Sequence, residues 1–288
     1  MKPIIISTLA AEHLAKNLKK KVGQFEFIFP EKNREQERFF PDKEIYMRIS
    51  QVDRLKNRKV IVLHSGAPNP NAGLIELELI LQILKDRKIK PELFFAYFPY
   101  AQQDKAFLQG ETNAAENLIK KLTDYYKIEK IYIIDPHFGK MDWVKKYPIT
   151  SVSAAPLLIE KAKKDFGKNI LFLSPDKGGK RRTGISGLKK KRINSFKVKS
   201  FSSNMDVKGR VVGIIDDILE TGGTILKSQK AVEKSGGKEI IVLITHGLLD
   251  VGIKRVKDNF SKVYLTNTIN RKNANVDVTD LISNAILN

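Results

Sequence analysis

The 288-residue sequence predicts an α/β protein of two domains, each built on a mainly parallel sheet flanked by helices. Short β-rich runs alternate with amphipathic stretches along the whole chain, which is the pattern of βαβ units. The apolar fraction of 42% supplies enough material for a sizeable core, and the length suits two domains of ordinary size.

Nine strands are predicted, with helical patterns between them. The strands cover residues 3–7, 25–29, 59–64, 92–98, 130–135, 169–174, 210–216, 239–245 and 261–266. Amphipathic helices are predicted for 72–87 and for 222–237, where Gly236 and Gly237 form a typical helix end. The last residues, 278–288, are predicted to form a terminal helix that docks on the first domain.

The domain boundary is predicted within the segment KKYPITSVSAAP, residues 145–156. This segment has two prolines and a polar turn ahead of a new helical pattern. We therefore expect an N-terminal domain of residues 1–148 and a C-terminal domain of residues 149–288. The chain opens with a strand-like run and then a polar helical pattern, which argues against a secretory signal. No apolar window is long enough to predict a membrane span.

Composition narrows the class of protein. The absence of cysteine excludes disulfides and thiolate metal sites, and it is compatible with a cytoplasmic location. The net charge is +20, and residues 177–199 contain many Lys and Arg residues but no acid. Such a segment either attracts phosphate groups or forms a solvated basic face. Because no nucleic-acid-binding motif accompanies the charge, nucleic acid is not required to explain it.

The stretch VVGIIDDILETGGTI, residues 211–225, carries the clearest functional pattern. An apolar strand ends in Asp216 and Asp217, whose carboxylates could accept hydrogen bonds from vicinal sugar hydroxyls in the crevice of an open sheet. The turn that follows consists of Thr221, Gly222, Gly223 and Thr224. Glycines permit close backbone approach, and a helix N-terminus favours an anion. The pattern predicts a sugar-phosphate site. The alternative is an ordinary strand–turn–helix connection with acidic caps.

Four other segments place polar groups beside predicted strands. YFPYAQQDKAF ends its polar run near Asp104, and indicates either a nucleotide site or an ordinary polar loop. IYIIDPHFGK places His137 beyond a buried strand, as a ligand or as a structural histidine. ILFLSPDKGGKRRTG places Asp176 before a glycine pair, and FFPDKEIYMRI places Asp42 and Glu44 in a turn before an alternating strand. Carboxylate and imidazole groups of this kind suit Mg²⁺ that is bound largely through water and phosphates.

Taken in order, these segments resemble the motifs of the ribose-phosphate pyrophosphokinase family. FPDKEIYMRI is similar to F-x-D-G-E, PYAQQDK to P-Y-A-R-Q-D-R, and IIDPHF to D-L-H. LSPDKGGKRR is similar to S-P-D-x-G-G, and IIDDILETGGTI to D-D-I-x-D-T-G-G-T. The resemblance covers nearly the whole chain. The last motif is shared with several other classes of enzyme that have the phosphoribosyltransferase fold.

The resemblance implies a fold of two tandem phosphoribosyltransferase-type domains and a homo-oligomer. It implies transfer of the diphosphoryl group of ATP to O1 of ribose 5-phosphate, which gives phosphoribosyl pyrophosphate and AMP. It also implies Mg²⁺ as cofactor.

The resemblance assigns a role to each matched residue. ATP binding is implied for Phe40, Asp42, Glu44, Gln102, Gln103, Asp104 and His137. Ribose 5-phosphate binding is implied for Asp176, Asp216, Asp217, Thr221, Gly222, Gly223 and Thr224. His137 and Asp176 would also hold Mg²⁺, and Lys197 and Lys199 of the FKVKS stretch would be the catalytic pair of a flap.

The departures from the family pattern fall on the ATP side. Gln102 stands in place of an arginine, which removes a charge-assisted and bidentate contact. Lys105 replaces a second arginine, and Lys43 stands where glycine is usual. Lys199 replaces the arginine of the flap. Since the ribose-phosphate loop is intact, the departures bear on the nucleotide donor.

Three other functions stay open from the sequence. A phosphoribosyltransferase would use the same loop but would not need the ATP-side motifs. A regulatory homologue with weak catalysis would bind nucleotides and partner subunits. A nucleic-acid-binding protein would show affinity for polynucleotides that falls steeply with salt.

Overall fold

The computed structural model describes residues 1–175 and 207–288 in full, and residues 189–194 and 197–202 by their backbone alone. Contacts between residues divide the chain into two compact units. Unit 1 comprises Met1–Val152, Thr268–Asn270 and Thr279–Asn288. Unit 2 comprises Ser153–Asn267 and Arg271–Val278.

Unit 1 contains a six-stranded sheet in the order β2-β1-β3-β4-β5-β6. Its strands are β1 (Ile4–Ser7), β2 (Glu26–Ile28), β3 (Val60–Ser65), β4 (Glu92–Tyr97), β5 (Ile131–Ile134) and β6 (Ile149–Val152). Every neighbouring pair is parallel. All residues of β1, β3 and β5 are buried, which agrees with the mainly apolar sequences of these strands.

Unit 2 contains a four-stranded sheet and a separate two-stranded sheet. Its strands are β7 (Ile170–Leu173), β8 (Lys189–Asn194), β9 (Lys197–Ser202), β10 (Val211–Leu219), β11 (Glu239–Gly247) and β12 (Lys262–Leu265). The larger sheet is parallel and has the order β12-β11-β10-β7. Strands β8 and β9 are antiparallel and, within the described part of the chain, pair with each other alone.

The α-helices of the described residues lie between strands in sequence, except the last, which follows β12. They are α1 (Glu12–Lys21), α2 (Pro70–Asp86), α3 (Ala114–Asp124), α4 (Ala155–Phe166), α5 (Gly223–Lys234), α6 (Asp250–Asn259) and α7 (Thr279–Leu287). Helix α2 starts with a proline, which is favoured in the first turn because its missing N–H would have no helical partner. Helix α7 packs against α1 in unit 1. Among the described residues, no helix combines the length and apolar character that crossing a membrane requires.

Each unit has its own hydrophobic core. In unit 1 the side chains of the central strands, such as Val62 and Phe95, pack with Leu77 and Leu84 of α2. In unit 2 one cluster contains Ile214 and Val242, and another contains Ile215 and Leu243. Successive residues of β10 and β11 therefore belong to different clusters, as expected for parallel strands that are covered on both faces.

The predicted α/β class and the nine predicted strands are confirmed. Three strands were missed: β6, β8 and β9. The alternating strand predicted after Glu44 is wrong, because the segment forms only an isolated bridge between Phe39 and Ile45. The predicted end of the strand at residue 216 is also wrong, since β10 continues to Leu219.

Candidate functional site

The two adjacent acids of unit 2 lie inside β10 rather than at its end. Asp216 is 9% exposed and Asp217 is 3% exposed. The strand continues past them because Ile218 and Leu219 remain in register with the neighbouring β11. The N–H of Asp217 donates to Oδ1 of Asp216 at 3.1 Å. The two acids therefore lie toward the carboxyl end of a parallel sheet, the edge at which open α/β sheets bind ligands.

The turn after β10 is shaped by a left-handed glycine. Gly222 has φ +78° and is the N-cap of α5, which begins at Gly223. No side chain caps this helix. The N–H groups at the start of the helix are therefore available to an anion, and the helix dipole favours a negative charge there. Thr221 and Thr224 flank the glycine pair and add hydroxyl donors.

Helix α6 supports this turn through two residues that the sequence analysis did not identify. A Cβ on Gly252 would overlap the carbonyl oxygen of Glu220, so the helix approaches the turn as closely as a glycine allows. Arg255 Nη1 donates to the carbonyl oxygen of Thr221 at 2.9 Å. Neither residue belongs to a recognisable motif, because their role depends on contact between elements distant in sequence.

In unit 1, a tight turn displays the first group of ATP-side residues. The N–H of Phe40 donates to the carbonyl oxygen of Glu44 at 2.8 Å, and Glu44 N–H donates to Asp42 Oδ1 at 3.0 Å. Lys43 closes the turn with φ +74°, a left-handed conformation that glycine adopts more readily. Asp42 and Glu44 are exposed, and Phe40 is 43% exposed. The turn therefore presents an aromatic ring and two carboxylates to solvent.

The second ATP-side group follows β4 and is anchored by its backbone. The carbonyl oxygen of Gln103 accepts the N–H of Ala115 at 3.1 Å, and that of Asp104 accepts Trp143 Nε1 at 3.0 Å. Gln102 and Gln103 have exposed side chains. These anchors fix the path of the loop and leave the two glutamines on the surface.

The remaining predicted residues are only partly covered by the structure. His137 is half-buried in a turn just after β5, and the preceding Asp135 has φ +35°. Asp176 lies outside the described residues. Lys197 and Lys199 fall in β9, which is described by its backbone alone.

Within residues 1–175 and 207–288, no group of three or more His, Asp or Glu side chains is arranged to hold a metal ion. Mg²⁺ does not need such a cage, because it is commonly bound through one or two protein groups, water and substrate phosphates. The carboxylates and the single imidazole of the predicted site fit that mode of binding.

The comparisons with known proteins agree on one family. Residues 4–125 match the N-terminal domain of ribose phosphate pyrophosphokinase, and residues 189–287 match the phosphoribosyl synthetase-associated domain. The ribose-phosphate pyrophosphokinase of Pyrococcus furiosus is 32% identical over 262 residues, which cover 86% of this chain and 90% of that protein. The chain belongs to the ribose-phosphate pyrophosphokinase family.

A second member of the ribose-phosphate pyrophosphokinase family is similar to a comparable extent. The protein of Pyrococcus abyssi is 30% identical over 256 residues, covering 84% of this chain and 87% of that protein. The crystal structure of phosphoribosylpyrophosphate synthetase from Mycobacterium smegmatis has a TM-score of 0.82 at 22% identity, over 100% of this chain and 98% of that chain. This likeness shows the shared fold. The predicted family, two-domain fold type and enzyme class are confirmed.

Proposed function

We propose that the protein transfers the diphosphoryl group of ATP to O1 of ribose 5-phosphate and releases phosphoribosyl pyrophosphate and AMP. Family membership supports the reaction class. The observation that carries the proposal is the sequence of groups in unit 2: the buried pair Asp216 and Asp217, followed by the left-handed Gly222 that opens α5. Carboxylates suit sugar hydroxyls, and the bare helix N-terminus suits a phosphate.

On the ribose side, Asp216 and Asp217 would accept hydrogen bonds from the ring hydroxyls. The turn formed by residues 221–224 would hold the 5-phosphate through its N–H groups and its two threonine hydroxyls. Asp176 would complete the site. Holding both ends of the sugar fixes the direction of O1, which is the main contribution that positioning makes to such a transfer.

On the ATP side, the adenosine would be bound by the exposed turn of Phe40, Asp42 and Glu44 and by the loop of Gln102, Gln103 and Asp104. His137 and Asp176 would hold Mg²⁺. The bound ion would neutralise charge on the phosphate oxygens.

In the transfer, a bond forms between O1 and the β-phosphorus of ATP. The bond between the β-phosphorus and the oxygen that bridges it to the α-phosphorus breaks, and this oxygen leaves with AMP. The proton of the O1 hydroxyl is released to water. Little covalent chemistry is required of the protein, so in-line positioning and positive charge dominate. Lys197 and Lys199 would supply that charge against the developing negative charge.

Lys197→Ala should therefore lower turnover far more than ribose 5-phosphate affinity. Lys189→Ala, in the paired strand, is the control and should leave turnover unchanged.

The direct test is release of AMP from ATP in the presence of Mg²⁺ and ribose 5-phosphate. We expect AMP and phosphoribosyl pyrophosphate in equal amounts, and a panel of nucleoside triphosphates would define the donor. If ribose 5-phosphate binds but no nucleoside monophosphate forms from any donor, the protein is a regulatory homologue. The replacement of the ATP-side arginine by Gln102 is the observation that favours this second candidate. A homo-oligomer and a cytoplasmic location stay predictions.

A further inference from the structure

A separate cleft of about 270 Å³ lies at the carboxyl end of the unit 1 sheet. Strand β1 lies between β2 and β3, so the chain passes from β1 to β2 on one side and then crosses to β3 on the other side of β1. This reversal is a topological switch point, the place where open parallel sheets bind ligands. Leu9 and Ala10, just after β1, and Pro68 and Asn69, just after β3, line the cleft. Among the described residues, none of those assigned above to ATP or ribose 5-phosphate lines it.

The walls of this switch-point cleft are largely apolar. Phe39 and Ile45 form one side, and Gly73 of α2 forms another. Phe39 is 37% exposed, so part of its ring is free to contact a ligand. The segment Thr268–Asn270 belongs to unit 1, and Ser65 Oγ donates to the carbonyl oxygen of Thr268 at 2.8 Å. This bond holds the segment at the end of β3, where Asn270 contributes an amide to the cleft.

One buried carboxylate faces the same cleft. Glu76 is 4% exposed and lines the cleft from α2. Both of its oxygens accept the N–H of Leu9 at 3.0 Å, and Oε1 also accepts Arg38 Nη2 at 2.8 Å. An ionised carboxylate has about four acceptor positions, so Oε2 can accept a further N–H or O–H. The guanidinium of Arg38 balances the charge without lining the cleft.

The charge of the lining separates this cleft from a phosphate site. The chain carries 52 Lys and Arg residues, yet no Lys or Arg is among the described residues that line the cleft. Of those described lining residues, only the acid Glu76 is charged. A phosphate would therefore be desolvated without a cationic partner, which is costly. An uncharged ring system with N–H or O–H donors would meet an aromatic ring, apolar walls and three polar side chains.

We propose that the switch-point cleft binds an uncharged purine nucleoside. The base packs between Phe39 and the apolar walls, and its donors meet Glu76 and Asn270. The volume lies just below the range of about 300–1,000 Å³ typical of small-molecule pockets, so the cleft suits a small ligand such as a nucleoside and not a dinucleotide. This site does not depend on the proposed transfer reaction, and it uses none of that reaction's residues.

Calorimetric titration of the full chain with adenosine, in the presence of saturating ATP, tests the proposal. ATP occupies any adenosine site on the ATP side, so the remaining heat reports the cleft. Ala10→Leu places a larger side chain in the cleft and should weaken adenosine binding by about tenfold or more. Ala231→Leu is the matched control, because it makes the same change at another half-buried alanine, in α5. Ribose 5-phosphate affinity should be unchanged in both variants.

A second variant tests the cleft even if Ala10→Leu does not fold. Asn270 is exposed, so Asn270→Ala should fold normally and still weaken adenosine binding several-fold. AMP should bind the cleft more weakly than adenosine, because its phosphate finds no cation there. The proposal is overturned if adenosine does not bind with ATP present, or if it binds equally well to Asn270→Ala and to the unaltered protein. If the unaltered protein binds adenosine in the cleft but forms no AMP from ATP, only the proposed reaction is contradicted.

Discussion

The backbone N–H of Asp217 donates a hydrogen bond to the carboxylate of the preceding Asp216, with 3.1 Å between nitrogen and Oδ1. Both residues are buried within β10, four and five residues ahead of the left-handed turn at 221–224. Carboxylate oxygens accept hydrogen bonds, and in the proposed function this pair accepts them from the hydroxyls of the sugar.

Loss of one of these charges should weaken the sugar-phosphate site. In Asp216→Asn an acceptor oxygen becomes an amide that donates, so ribose 5-phosphate should bind about tenfold or more weakly, since hydrogen bonds to charged groups contribute about 1.5–3 kcal/mol. Glu220→Gln, at an exposed acid of the same loop, is the control and should bind normally. Calorimetry measures both affinities. Equal affinity in the two variants would remove Asp216 from the site.

The turn at Gly222 should be sensitive to any side chain. In Gly222→Ala the Cβ would lie 3.1 Å from Val256 Cγ2, and the residue would have to keep φ +78°. We expect a loss of about 1–2 kcal/mol in the free energy of unfolding, measured by urea denaturation. Gly223→Ala is the matched control, because its Cβ would meet only Thr221 Oγ1, at 3.7 Å. Unfolding midpoints that fall equally in both variants would contradict this account of the turn.

Lys43, which stands where the family usually has glycine, should lower the free energy of unfolding. Lys43 adopts φ +74°, which a residue with a Cβ occupies at a cost of about 1–2 kcal/mol. Lys43→Gly should therefore raise the free energy of unfolding, although the gain is reduced to about 1 kcal/mol or less by the greater freedom of glycine in the unfolded chain. Lys32→Gly, at an exposed position without this conformation, should lower it. A loss of stability in Lys43→Gly would show that the turn is not strained.

Buried His64 should make stability depend on pH. Its Nδ1 lies 3.0 Å from Thr8 Oγ1, and burial lowers its pKa from 6.5 to about 3. Between these values the unfolded chain binds a proton that the folded protein does not. The free energy of unfolding should therefore fall as pH drops from about 6.5 toward 3, by up to about 1.4 kcal/mol per pH unit from this group. His64→Gln should remove that part of the slope in urea denaturation. An unchanged slope would mean that other groups cause the acid sensitivity.

The replacement at Gln102 concerns the nucleotide donor. Gln102 is exposed, so Gln102→Arg can be accommodated, and a restored charge-assisted contact should tighten ATP binding by about tenfold. Gln109→Arg adds the same charge elsewhere in the exposed loop and should change the affinity little. If ATP binds no better to Gln102→Arg than to the control, the ATP-binding residues no longer have the arrangement in which an arginine at this position contacts ATP.

Much of the fold follows from the sequence because its parallel strands are buried on both faces. The run 60–65 starts with four consecutive apolar residues and was therefore recognisable as a strand. By contrast, β6 exposes Thr150 and Ser151 and resembles a polar turn. Strands β8 and β9 carry mainly basic and polar residues, so no apolar alternation marks them.

The candidate site was predictable where a local motif specifies the backbone, as in the glycine pair that opens α5. It was not predictable where the role comes from tertiary contact. Gly252 and Arg255 support the turn from another helix, and no local pattern identifies them. The alternation of apolar and polar residues after Glu44 led to a wrong strand prediction, because this segment forms only an isolated bridge and does not join a sheet.

The central claim is that the loop after β10 holds ribose 5-phosphate. A crystal structure of the full chain with saturating ribose 5-phosphate tests it most directly. The account predicts density with the phosphate at the N–H groups of residues 221–224 and the ring hydroxyls at Asp216 and Asp217. Ligand density at any other place, or a crevice that stays empty at saturation, would contradict it.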